Sequence, residues 1–416
     1  MKRLKILHAY MKGIRLSAVI LCIMFTWALF SGVIVYGKLQ GIYSDVSVLG
    51  STDKDRTGVL MYFPNEEAMK TRSYERYIRS VKELLEGESA VENVLAVRTV
   101  NPVSYNGEGI SIVLYDPALL DVFPGLKRLG IDFSAVPDGC ILGSTMFGDL
   151  NSGDTVELLV GNTKVSFPVA GRVSAPYRHF SLNQSSTVPK ASYFFQEGDL
   201  LIMLDSPQLR DVLQNASIAW GQNLVVSFKE GTTQLQRTEI LERCAAECRY
   251  YSIAQVLDGS FEEIQATMKE QLPIPLFVMV SALVAYSSIL VLTLKKKESE
   301  MAVLHLCGMD RKSYGTMVFA ASQAFTLIPC GLIVLLLEAW PRIQWDWTVL
   351  YKNGHQTVSD EIWSLLLHLY AFYRVTVINM HCLPLVLTFY GATVLICVGV
   401  TWFYMKRHTP LRGSQL

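Results

Sequence analysis

Four runs of the chain, residues 16–36, 273–294, 314–339 and 383–405, are each long and apolar enough to fill the hydrocarbon core of a bilayer. A helix crosses that core with about 20 residues. Inside hydrocarbon a backbone must satisfy its own amides and carbonyls, so each run is expected to be a helix. The first run follows a basic segment, as a signal peptide would. Its apolar stretch is too long for one, and no A-x-A-like cleavage site follows. Half of the residues are hydrophobic and 18% are charged, a balance that suits a membrane protein. Formal net charge is zero, so no global field points to nucleic acid. The expected fold class is an α-helical membrane protein with four transmembrane helices and an α+β extracytoplasmic domain between helices 1 and 2.

Basic residues set the expected orientation. Lys2, Arg3, Lys5, Lys12 and Arg15 lie in residues 1–15. Lys295, Lys296, Lys297, Arg311 and Lys312 lie in 295–313, and Lys406 and Arg407 open the tail, 406–416. These three segments fall on one side if all four runs span. They are read as cytoplasmic, with both termini on the cytoplasmic side of the cell membrane. Residues 37–272 and 340–382 are then outside.

The 37–272 segment carries mixed patterns. Asn65–Glu86 has apolar residues at three- and four-residue steps and predicts a helix ended by Gly87. Val94–Val100 and Ile110–Tyr115 predict strands joined at Asn106-Gly107. Val156, Leu158 and Val160, then Val165, Phe167 and Val169, alternate about Gly161-Asn162 and predict a β-hairpin. Leu200–Leu204 and Leu224–Phe228 read as strands, 181–192 as a loop and Thr232–Glu247 as a helix. Ser260 to Glu263 fits a capping box opening a helix that leads to the second run, with a kink at Pro273 and Pro275. The domain would therefore join both flanking spans without a flexible linker. Asn215-Ala216-Ser217 matches a glycosylation sequon and is read as a chance match. Cys140, Cys244, Cys248 and Cys382 lie outside or at the outer boundary, and spacing does not give a pairing. Cys244 and Cys248 are expected four apart on one helix, where their side chains run parallel, poorly placed for a disulfide.

Catalytic patterns are missing. Gly143 to Gly148 has P-loop glycine spacing, but Asp149 stands where the phosphate-binding lysine is needed. No H-E-x-x-H or G-x-S-x-G occurs, and the histidines show no ligand spacing. Glu338 is the one acid in a run, at its outer end. An ion-coupled carrier would carry more intramembrane charge. The chain is thus read as neither an enzyme nor a self-powered transporter. In 340–382, Trp363, Leu366, Leu367 and Tyr370 follow a Ser359-Asp360-Glu361 start and suggest an interfacial helix, or one packed on the outer domain.

The 295–313 loop has an apolar centre that a plain connection between spans does not need. Glu298 and Glu300 suit the start of a short helix. Met301, Leu304 and His305 form one stripe, with Val303, Leu306 and Cys307 beside it. Gly308 is placed to end the helix, and Asp310 to cap the next. Without a partner protein, such a helix would lie on anionic headgroups.

In order, Glu300, Met301, Ala302, Val303, Leu304 and Gly308 resemble the motif of FtsX/MacB-type ABC transporter permeases, E-[IM]-[AG]-[IV]-L-x-x-x-G after a basic end of the second span. Gln323 stands where that family usually has Glu, and Gly331 matches a glycine typical of its third span. The layout and the stretch from Gly139 to Val173 are similar as well. The resemblance implies that Glu298, Glu300, Met301, Val303, Leu304, His305 and Gly308 form a coupling helix contacting a separate cytoplasmic ATPase. Gln323 and Gly331 become packing candidates within the membrane. It further implies a second permease subunit in a homo- or heterodimer, a surrounding lipid bilayer, ATP bound only by the partner, and an extracytoplasmic peptide or protein as a further partner, with the substrate unnamed. The alternatives are an FtsX-like regulator of a cell-wall hydrolase and a membrane-anchored sensor without an ATPase.

Overall fold

The computed structural model describes residues 15–407 except 144–146, 148–149, 162, 174–177, 183–188, 198–199, 214–216, 220, 222 and 354–377. The described residues open with helix α1 (Arg15–Leu49), followed by β1 (Thr57–Tyr62), α2 (Glu66–Thr71), α3 (Ser73–Glu86) and β2 (Val91–Leu95). Then come β3 (Val97–Tyr105), β4 (Glu108–Tyr115), α4 (Leu119–Val122), a 3₁₀ turn at Pro124–Leu129, β5 (Cys140–Leu142), β6 (Thr155–Val160) and β7 (Thr163–Arg172). They are followed by β8 (Arg178–Phe180), β9 (Phe195–Glu197), β10 (Leu200–Leu204), α5 (Pro207–Val212) and β11 (Ser217–Ala219). The chain closes with β12 (Asn223–Phe228), α6 (Gln234–Cys244), β13 (Cys248–Ser252), α7 (Ile253–Ala266), α8 (Pro273–Lys296), α9 (Glu298–Leu306), α10 (Arg311–Asn353) and α11 (Leu383–Arg407).

Two compact units result: Met1–Leu39 with Ala266–Gln344 and Thr376–Leu416, and Gln40–Gln265 with Trp345–Val375. The first is helical. Among the described residues, four helices are long and apolar enough to cross a membrane: Ser17–Leu49, Ile253–Lys296, Lys312–Trp340 and Met380–Arg407. Phe25 packs against Tyr286 of α8 and edge-on to Phe389 of α11, with ring centroids 5.5 and 5.3 Å away. On α11 the buried side chains are Val386, Phe389, Thr393, Cys397, Thr401 and Tyr404, the three- and four-residue steps of one helix face.

The second, larger unit contains two large sheets and a two-stranded one, β8 with β9. The four-stranded one has the order β13-β1-β12-β2, all antiparallel. With α3 between β1 and β2 and α6 between β12 and β13, this is a split β-α-β, β-α-β sandwich. Its halves are separated in sequence by the whole second sheet. That sheet runs β11-β3-β4-β10-β5-β7-β6, and β6 also pairs with β3 through Val103–Val160 and Ser104–Leu159. Six strands therefore close into a small barrel, which removes open edges. The bend that lets β3 serve both ends is an irregularity between Val100 and Val103, where Pro102 has no amide to donate. Ile110, Ile112 and Leu114 fill the barrel with Val156, Leu158, Phe167 and Met203. Val113 and Tyr115, on the opposite face of β4, join Val59, Met61, Val225, Val48 and Leu49 in the core between the sheets.

Several expectations change. The 65–86 periodicity is divided into α2 and α3 at Arg72, whose φ of 54° is left-handed. The apolar stretch 94–100 is two strands, because the chain leaves the first sheet at Leu95 and enters the barrel at Val97. Cys244 ends α6 and Cys248 opens β13, so they do not share a helix. Ser260 is a buried interior residue of α7. The capping box belongs to Ser252 and Gln255, whose side chains each accept from the other's backbone amide at 3.3 and 3.0 Å. Where Pro273 and Pro275 predict a kink, a π-helical turn, Thr267–Gln271, precedes Pro273, with Leu272 N donating to Thr267 O. Helix α10 continues to Asn353, beyond the end expected at 339. The hairpin 155–172 and the Asn106-Gly107 turn, with φ of 49° and 87°, follow the sequence pattern. The suggested helix around Trp363, the first two residues of the sequon, and the basic residues Lys2 to Lys12 lie outside the described residues.

Candidate functional site

The short helix α9 lies between two of the helices long and apolar enough to cross a membrane, and has opposed faces. Its first turn carries Glu298 and Glu300. Lys297 Nζ donates to both carboxylate oxygens of Glu300, at 2.6 and 2.7 Å. The Tyr404 hydroxyl on α11 donates to Glu298 Oε2 at 3.4 Å. Met301 is buried and Leu304 half-buried, facing the helices. Val303 and Leu306, by contrast, are 58% and 79% exposed, and Cys307 beside them is exposed. The side chain of His305 lies outside the described residues.

The end of this helix and the start of the next are closed by local chemistry. Gly308 has φ 87°, and Met309 N donates to Leu304 O at 3.0 Å, the long-range bond of a Schellman stop. Asp310 then caps α10, accepting from Ser313 N at 3.3 Å. Its hydrogen bond from the Ser313 side chain holds the Asp310 carboxyl below its ordinary value. Exposed Lys295 and Lys296 precede α9. The outcome is a helix stopped at Gly308 and anchored through Met301 and Tyr404, that presents an apolar pair between charges. Such a surface suits a protein groove or a membrane interface.

Gln323 is buried; its Nε2 lies 3.5 Å from the Tyr286 hydroxyl, and its Oε1 accepts from Thr326 at 3.1 Å. Ser322 Oγ lies 2.9 Å from Cys397 Sγ. A cavity of about 30 Å³ beside them is bounded by Ala18, Leu21, Ile289, Ser322 and Phe325. The apolar run-length argument does not reveal this polar seam. Its trace in the sequence is Thr393, Cys397, Thr401 and Tyr404 at near-helical steps in an otherwise apolar run. Gly331 is exposed, and a Cβ there would meet nothing within 4 Å.

The larger unit holds a separate ionic cluster that motif searching does not find. Arg98 is ion-paired with buried Asp205 and lies 3.6 Å from Asp116. Arg210 grips Asp205 through Nε and Nη2 at 3.0 and 2.7 Å. Lys82 Nζ and Ala96 N donate to Asp116 at 3.0 and 2.7 Å. Burial pulls the Arg98 guanidinium below its ordinary value, against the opposing pull of the Asp116 carboxylate. The cluster sits where the chain passes from β2 to β3. Among the described residues, no three His, Cys, Asp or Glu side chains are grouped to hold a metal.

No family model matches the chain, and no curated protein matches it. Among solved structures, it is similar to the periplasmic region of MacB from Actinobacillus actinomycetemcomitans, at 10% identity over 52% of this chain and 94% of that one, with a TM-score of 0.30. It is similar to the extracellular domain of the noncanonic ABC-type transporter YknZ from Gram-positive bacteria, at 13% identity over 46% of this chain and 91% of that one, with a TM-score of 0.26. A heavy metal efflux pump aligns at 14% identity over 85% of this chain and 36% of that one, with a TM-score of 0.16.

Proposed function

We propose that the chain is the membrane subunit of an ATP-driven complex, in which α9 docks on a separate cytoplasmic ATPase. Helix movement then carries ATP-driven change to the α+β unit on the other side of the membrane, for export, extraction or envelope remodelling. The observation that carries this reading is the capped helix α9, buried through Met301 and exposed through Val303 and Leu306. The motif Glu300 to Gly308 and the missing P-loop lysine at 149 support the same division of labour. In this reading the termini and 295–313 are cytoplasmic, the chain pairs with a second permease subunit, and nucleotide binds only to the partner.

Co-purification of the full chain from its own membranes tests the reading. A P-loop ATPase is expected to accompany the native chain, and Glu300→Lys or Leu306→Asp is expected to release it while insertion stays normal. Undiminished ATPase capture by both variants would remove α9 as the contact. Native chain that brings down no ATPase would remove the complex.

A further inference from the structure

Two helices enter the core of the larger unit, and each is held by a contact that only glycine permits. At the end of α1, Val48 and Leu49 are buried in the core between the sheets. The Ser51 hydroxyl donates to Val48 O at 2.5 Å and accepts from Gly125 N at 2.9 Å. A Cβ on Gly125 would lie 2.7 Å from Val48 Cα, so the Pro124–Leu129 turn presses directly on backbone. On α7, a Cβ at Gly259 would lie 2.6 Å from Pro189 O. The neighbouring Ser260 hydroxyl donates to Val256 O at 2.9 Å and accepts from Ala191 N at 2.8 Å. Lys190 and Glu263 add an ion pair at 3.7 Å.

The two holds are joined by one aromatic cluster. Phe123 leads directly into the turn that holds α1, while Phe194 and Phe195 follow the segment that holds α7. Phe180 lies between them, with ring centroids 5.1 Å from Phe123, 6.5 Å from Phe194 and 5.6 Å from Phe195. All four rings are at most 1% exposed. The Tyr115 hydroxyl pins the cluster by donating to Phe180 O at 2.8 Å. A close-packed interior moves such rings together or opens a void.

We propose that Phe123, Phe180, Phe194 and Phe195 make the hold on α1 and the hold on α7 one cooperative element, so that loosening either loosens the other. The proposal stands on contacts within the larger unit and does not depend on an ATPase. Spatial intermediacy alone is not coupling. The decisive measurement is hydrogen–deuterium exchange of the full-length chain in detergent, read by peptide mass spectrometry. Gly259→Ala perturbs only the α7 hold, yet exchange in 123–130 is expected to quicken about tenfold, equivalent to about 1.4 kcal/mol of coupling. The hairpin 155–172 should be unchanged. In the reverse direction Gly125→Ala should quicken 189–194. Phe180→Leu should make the two perturbations independent. Where either glycine variant fails to accumulate, Ser260→Ala or Ser51→Ala replaces it. Unchanged exchange in 123–130, or equal acceleration in 155–172, overturns the proposal.

Discussion

The helical unit and the α+β unit both bury polar side chains, but by different means. Among the described residues of the helical unit the buried polar groups are neutral, and several bond back to their own helix. Ser322 donates to Phe319 O, Thr326 to Gln323 O and Thr393 to Tyr390 O. In the α+β unit, buried Arg98 and Asp205 pair with each other and, through half-buried Asp116 and Lys82 and exposed Arg210, tie α3, β3 and α5 together. A charge at the centre of a bilayer has little chance of recovering its hydration energy, whereas hydroxyls satisfied locally cost little wherever the helix goes. An ion cluster is tolerable in the α+β unit because opposite charges and bidentate geometry replace the lost water. The contrast teaches that the buried side chains joining helices of the first unit are neutral, as Gln323 with Tyr286 and Ser322 with Cys397, while the second unit cannot change at the β2–β3 crossing without exposing or orphaning charge.

The sharpest way to break this comparison is Arg98→Met. It leaves Asp205, with a side chain 1% exposed, without its buried partner. The expected loss is about 3–5 kcal/mol in the unfolding of the α+β unit, followed by denaturant titration with circular dichroism. A loss under about 1 kcal/mol would mean that the cluster is already hydrated.

A smaller effect comes from alkaline pH. Burial pushes the Cys140 thiol up to about 12 and the Cys248 thiol up to about 11. The unfolded chain gives up these protons near the ordinary thiol value while the folded chain keeps them. Stability is therefore full below that value and falls as pH rises through the interval up to the raised values. Between pH 7 and 9 the same titration should lose up to about 1 kcal/mol. Cys140→Ala should flatten that slope; an unaltered slope would assign it to other groups.

The smallest effect is expected in the membrane. Gln323→Leu removes the contacts to Tyr286 and Thr326, and interhelical hydrogen bonds of this kind average about 0.6 kcal/mol. Thermal aggregation in lipid nanodiscs should place the variant close to the native chain. A loss as large as that of Arg98→Met would show the seam to be as indispensable as the ion cluster, and the comparison would fail.

Legibility in the sequence followed the range of the interaction. The hairpin at 155–172 was readable because Val156, Leu158 and Val160 alternate within six residues and Gly161 turns with positive φ. Helix α9 was readable because its acidic start, its Gly308 stop and the Asp310 cap are all local. Arg72 breaks a helix whose apolar period runs on through it, so periodicity alone predicts one helix where there are two. Ser260 carries a capping-box pattern, but its hydroxyl is engaged by Ala191, 69 residues away. The split sandwich was hidden because β2 and β12 pair through residues such as Leu95 and Val225, which the inserted barrel separates in sequence.

What this sequence determined by itself is everything set by a period, a turn residue or a length. Four runs are long and apolar enough to cross a bilayer as helices, because each residue of a helix adds a fixed rise and hydropathy is read directly from composition. Alternation and glycine placed the hairpin and the stop of α9, because side-chain direction and φ are local properties. Only the tertiary structure decided which distant residues meet: Arg98 with Asp205, Gly125 with Val48, Gly259 with Pro189, and β3 with both ends of its barrel. Those choices depend on how close two backbones can come and on which charge lies within reach once they do. No spacing along the chain encodes that.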